Sequence, residues 1–151
     1  MCAAAGALGL LHRRLKGIAF LKTTYVTASW VLVCVGIPVA SEGALDARAE
    51  VPVVVIGLAV AANLIASNLR DDESATTLVP FGAALGLACG LCAAGAIAAI
   101  AADATTLAPI PLLEGIAVAG LAGHPADTER YGLVVVDGAL WAGALVSVAM
   151  G

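Results

Sequence analysis

Apolar residues fall in five long blocks along the chain, at about Thr23 to Ser41, Val51 to Ser67, Leu78 to Ala101, Thr105 to Ala122 and Gly132 to Met150. Each is close to the roughly 20 residues that a helix needs to cross about 30 Å of hydrocarbon. Because a backbone in lipid must satisfy its own hydrogen bonds, helices are expected there and open strands are not. The pattern predicts an all-α, multi-pass transmembrane bundle of about five spanning helices, forming a single membrane domain over residues 1–151. Small residues recur every four positions at Gly82, Gly86 and Gly90 in the third block and at Ala139, Gly143 and Ser147 in the fifth. Such strips let helices approach closely in lipid, so both are expected to be packing seams of the bundle, with a dimer interface as the other reading. Pro109 and Pro111 are expected to kink or delay the start of the fourth helix.

Composition removes the soluble alternative. Of 151 residues, 62% are apolar and 12% charged, with a mean hydropathy of +1.04, beyond what a soluble domain carries. Nothing in this balance suits a nucleic-acid partner; membrane lipids are the expected surroundings. The net charge of -4 says little, but the placement of basic residues sets orientation. Arg13, Arg14, Lys16 and Lys22 precede the first block, Arg70 follows the second and Arg130 follows the fourth, while Arg48 alone falls in a loop of the other parity. By the positive-inside rule these loops face the cytoplasm, which predicts an integral protein of the cytoplasmic membrane. The opening "MCAAAGALGLL" is too short to span, and its positive charge follows the apolar run instead of preceding it, unlike a signal peptide. It is expected to be the end of an earlier helix or a short interfacial one. Cys89 and Cys92 in "CGLC" lack a second pair or a histidine cluster and are expected to be small packing residues.

Charge concentrates in "NLRDDESATT", Asn68 to Thr77, after the second block. If the helix continues through it, Asn68 and Asp71 share a face with Asp72 beside them. An amide oxygen and carboxylates converging in this way are hard ligands of the kind Mg²⁺ takes while sharing substrate phosphates. The other loop on that side, "HRRLKGIAFLK", offers Arg13, Arg14, Lys16 and Lys22 as charge-assisted donors to phosphate oxygens, and Arg70 heads the acidic loop itself. A solvated connection that merely fixes topology is the competing reading of both loops.

"RRLKGIAFLKTTYV", then two apolar blocks, then "NLIASNLRDDES", resembles the second half of the UbiA-type membrane prenyltransferases. Those are all-helical, typically with nine transmembrane helices, and carry two acidic motifs at the cytoplasmic side. The resemblance runs from about Leu11 to the end, in the order of the family's helices five to nine. It implies that Asn68 and Asp71 belong to the second acidic motif, with Glu73 at its middle acidic position. Ala75 stands where the family has its final aspartate, and Asp72 is expected to substitute from an adjacent direction. It further implies that Arg14, Lys16 and Lys22 lie near the diphosphate. The expected chemistry is Mg²⁺-dependent transfer of an isoprenyl group from an isoprenyl diphosphate to an aromatic or other lipophilic acceptor. The first motif, Asn-Asp-x-x-Asp, is absent from the chain, so the chain alone is expected to be inactive, as a fragment, a decayed relative, or a subunit completed by a missing N-terminal half.

Two ionisable residues fall inside apolar blocks. Glu114 lies near the middle of the fourth, and Asp137 lies six residues after Tyr131 in the fifth. Intramembrane carboxyl groups are functional candidates by default; a structural hydrogen-bonded role is the alternative, and the spacing assigns neither to the diphosphate. The rival to an enzyme is a non-enzymatic helical module or a transporter fragment.

Overall fold

The computed structural model describes residues 21–33, 37, 47–70, 79–123 and 128–151. The described residues are helical apart from short turns, with no strand among them. In chain order they form α1 (Leu21–Val31), α2 (Ala47–Arg70), α3 (Phe81–Ala101), a 3₁₀ turn (Thr105–Leu107), α4 (Pro109–Gly120), a second 3₁₀ turn (Leu121–Gly123), α5 (Thr128–Tyr131), a π turn (Gly132–Val136) and α6 (Asp137–Met150). Four segments are long and apolar enough to cross a membrane: Glu50–Leu69, Phe81–Ala101, Thr105–Gly123 and Gly132–Met150. These are the second to fifth apolar blocks. The first block begins in α1, and much of its remainder lies outside the described residues.

The junctions follow from local chemistry. At the end of α3 the Asp103 backbone turns left-handed (φ 56°), and the Ala104 N–H donates to the Ala99 carbonyl at 2.8 Å. This is the usual way to satisfy carbonyls that the helix leaves open. The expected delay of the next helix is borne out: a 3₁₀ turn intervenes, and α4 starts at Pro109, where a missing N–H costs nothing.

α2 packs on α3, α4 and α1, while α4 packs on α3 and α6. Two apolar clusters stack along the bundle. One joins Ala62, Ala66 and Leu69 of α2 to Ala84, Ala88 and Cys92 of α3, and to Val118 and Leu121 from the α4 end. The other joins Val55, Ala99 and Ala108 near the opposite end. Between 17% and 39% of each candidate span is buried. Large side chains such as Ile116, Trp141, Leu145 and Val148 are exposed; an apolar exterior of this extent suits lipid and not water.

The two small-residue strips have opposite fates. Gly143 and Ser147 are buried, and a Cβ on Gly143 would lie 2.7 Å from the Ile110 Cα and 2.9 Å from the Pro109 carbonyl oxygen. The α6 strip is therefore a packing seam against the start of α4. The α3 strip is not a seam among the described residues: Gly82, Gly86 and Gly90 are exposed, with nothing within 4 Å of where a Cβ would stand. The face of α3 that packs carries Ala84, Ala88, Cys92, Ala96 and Ala99. Its methyl groups make contacts that a glycine strip cannot, at almost the same backbone separation.

Candidate functional site

α2 presents three stripes to its surroundings, each following from residues three and four apart sharing a face. Val55, Ala59, Ala62, Ala66 and Leu69 form the buried stripe. Val54, Leu58, Ala61 and Ile65 form a second, which faces a groove of about 560 Å³ shared with Thr27 and Val31 of α1 and Leu87 and Leu91 of α3. Asn68 continues this second stripe one turn beyond Ile65 and is itself buried. Ile56, Val60, Asn63 and Leu64 form the third, facing a separate cavity of about 420 Å³ whose other wall is Asp137, Leu140, Trp141 and Ala144 of α6.

The groove is almost wholly apolar. One polar atom stands out: Thr27 Oγ1 is buried without a hydrogen-bond partner. α1 runs antiparallel to α2 along the groove, since Thr24 and Val31 both line it and Val31 Cγ2 comes 3.4 Å from where a Gly57 Cβ would be. Lys22, in the first turn of α1, and Arg70, the last residue of α2, therefore come to the same end of the bundle. Asn68 lies at that end too. Arg14, Lys16, Asp71, Asp72 and Glu73 lie outside the described residues, as does the expected helical continuation through the acidic loop.

The donor set expected for Mg²⁺, one amide and two carboxylates within five residues, has the chemistry of a hard-cation site. Of it only Asn68 is described. Among the described residues no group of three or more His, Cys, Asp or Glu converges as metal ligands would, so the case for the metal rests on Asp71 and Asp72.

The second cavity has a polar floor. Asn63 Nδ2 donates to Asp137 Oδ1 at 3.0 Å, joining α2 to α6. Glu114 stands beside them and beside Cys92, fully buried, with the Asn63 side chain close by and neither carboxyl oxygen in a well-formed hydrogen bond. Asn63 is seven residues before the end of α2, and Glu114 six before the end of α4. Asp137 is six after Tyr131, so at 1.5 Å per residue all three lie roughly 10 Å inside the same end of the bundle. The π turn immediately before Asp137 rotates the start of α6 relative to a regular α-helix, and such turns occur often at functional sites. Tyr131 anchors the turn: its hydroxyl donates to the Ala117 carbonyl at 3.1 Å, and its ring end occupies the space where a Gly120 side chain would be. Arg130, beside it, is exposed.

The structure thus brings Glu114 and Asp137 together and adds Asn63, which sequence reasoning did not single out. Its signal was faint: one amide in the apolar run "AVAANLIAS". Cys89 and Cys92 are free thiols, Cys92 buried in the core, in keeping with a packing role. Comparison with protein-family models, with curated proteins and with solved structures finds no match to the chain.

Proposed function

We propose that the chain forms the second-motif half of a UbiA-type membrane prenyltransferase, in the cytoplasmic membrane with its acidic and basic loops toward the cytoplasm. The observation that carries this reading is the stripe Val54, Leu58, Ala61, Ile65, Asn68 on α2. It runs along an apolar groove and ends in a buried amide where the chain enters the acidic loop. A ligand with a charged head at Asp71 and Asp72 and a hydrocarbon tail along the groove would use both parts, and an isoprenyl diphosphate has that form. The groove's volume falls within the roughly 300–1,000 Å³ of small-molecule sites.

In this reading Arg14, Lys16, Lys22 and Arg70 grip the diphosphate oxygens through charge-assisted hydrogen bonds. Asn68, Asp71 and Asp72 would hold Mg²⁺, whose chemistry is Lewis-acid neutralisation of a departing diphosphate. The groove keeps the tail out of water. The acceptor is a lipophile, aromatic or otherwise, that reaches the site from the membrane. The chain has no Asn-Asp-x-x-Asp motif, so a partner half carrying it must complete the carboxylate set, and the chain alone binds but does not turn over.

The test is binding of a labelled isoprenyl diphosphate to the full chain in lipid nanodiscs. Weak binding that requires Mg²⁺ and falls at least tenfold in Asp71→Ala is expected. Binding indifferent to both would leave the charged loop a mere connection, and the chain a non-enzymatic module.

A further inference from the structure

The polar layer of Asn63, Glu114 and Asp137 belongs to no part of the diphosphate reading, and Glu114 is its least supported member. Its exposure is 0%, and neither carboxyl oxygen has a well-formed hydrogen bond. Asp137 accepts a hydrogen bond from Asn63 Nδ2 at 3.0 Å, and the same Asn63 side chain stands close to Glu114. One amide from α2 thus serves two acids, one from α4 and one from α6. Ionisable groups at such depth are costly to keep and mark functional sites. We propose that this layer is an intramembrane proton-binding site, with the proton on Glu114 and the cavity between α2 and α6 as its way in.

The ligand follows from the surroundings. An ionised Glu114 would need an opposite charge beside it, and none stands there among the described residues. α2 faces it with the neutral Asn63, α3 with the Cys92 thiol, preceded by Cys89 one turn earlier, and α6 with a second acid, Asp137. The turns packed against α4 carry no titratable side chain. On α5, Tyr131 spends its hydroxyl on the Ala117 carbonyl, and Arg130 is exposed, seven residues before Asp137. Arg70 closes α2 seven residues beyond Asn63. Two acids in one low-dielectric layer oppose each other's ionisation. A proton removes one of the two charges and needs a single oxygen. A metal cation needs several, and among the described residues no three His, Cys, Asp or Glu groups converge as ligands. Larger ligands are kept away, because Glu114 lines neither cavity. Asn63 and Asp137 do line the cavity between α2 and α6, so the layer runs from its wall inward to Glu114. Hydronium admitted there leaves as water once its proton has formed the O–H bond on Glu114, and release reverses the step.

Infrared spectroscopy of the full chain in nanodiscs at neutral pH tests the site. The carbonyl stretch of a protonated carboxyl group disappears on ionisation and shifts on deuteration. One such band is expected, lost in Glu114→Gln and kept in Asp137→Asn. In the wild-type chain, carboxyl-labelled ¹³C-glutamate is expected to shift the band and ¹³C-aspartate to leave it in place, which assigns it without any substitution. Transfer into deuterium oxide is expected to shift it as the proton exchanges, at a rate that Ala144→Phe, from the cavity wall, lowers about tenfold. The absence of a glutamate band would overturn the proposal, as would a band that sodium ions remove or one that deuterium never shifts. Exchange at an unchanged rate in Ala144→Phe would overturn it too. None of these measurements uses Mg²⁺ or an isoprenyl diphosphate, so their failure leaves the prenyltransferase reading standing, and loss of that reading leaves this site standing.

Discussion

Glu114 is the residue whose environment asks most of the fold. A buried carboxyl with no well-formed hydrogen bond on either oxygen, and only the partial support of the nearby Asn63 side chain, regains little of the hydration it forfeits, a cost on the order of 1–3 kcal/mol. Glu114→Leu is therefore expected to raise stability by about 1–2 kcal/mol in denaturant titrations of the solubilised protein. A loss of stability would mean that the carboxyl serves a partner. Gly143 asks the opposite question, since any side chain there meets backbone atoms of Pro109 and Ile110 that have no rotamer to change. Gly143→Ala is expected to cost about 1–3 kcal/mol, read as a lower unfolding midpoint, and an unchanged midpoint would mean that α4 and α6 separate easily. At this scale the sequence disclosed Glu114 and Asp137 because charge within an apolar block is conspicuous. It did not disclose Asn63, because one neutral amide carries no such mark. Nor does anything in "GLVVV" announce the π turn that turns Asp137 toward that amide.

Whole helices were easier to read than their faces. The second to fifth apolar blocks reappear as spans, but α2 is longer than its block. Arg48, Glu50 and Arg70 lie within its 24 residues, because a helix can continue into the polar interface where hydropathy drops. The prolines marked the start of α4 because a missing N–H has a definite local consequence. Strips of small residues did not mark faces so well. Glycine and alanine both permit close approach, and α3 carries one strip of each on opposite sides, so spacing alone could not choose. With nothing near the exposed glycines, Gly86→Ala loses no contact and gains helix propensity. It is expected to stabilise the protein by about 0.5–1 kcal/mol in the same unfolding assay. Destabilisation would show instead that another surface covers that face of α3.

At the scale of the molecule, the described helices arrange two different cavities around α2, an apolar groove headed by Asn68 and a pocket floored by Asn63 and Asp137. The groove could not be read from the sequence, because Val54, Leu58, Ala61 and Ile65 look no different from the buried residues between them; only the packing of α1 and α3 distinguishes the stripes. The acidic motif was legible for the opposite reason, as charge in a chain with little of it, yet Asp71 and Asp72 lie outside the described residues. The central claim is that charge and groove serve one ligand. Photo-crosslinking tests it most directly, using an isoprenyl diphosphate analogue with a diazirine in its tail and peptide mapping of the full chain in nanodiscs. Mg²⁺-dependent adducts on Leu58, Ala61, Ile65, Leu87 and Leu91, lost in Asp71→Ala, are the expected result. Adducts at Trp30 and Trp141 instead, or adducts spread over the lipid-facing surface regardless of Mg²⁺, would contradict it.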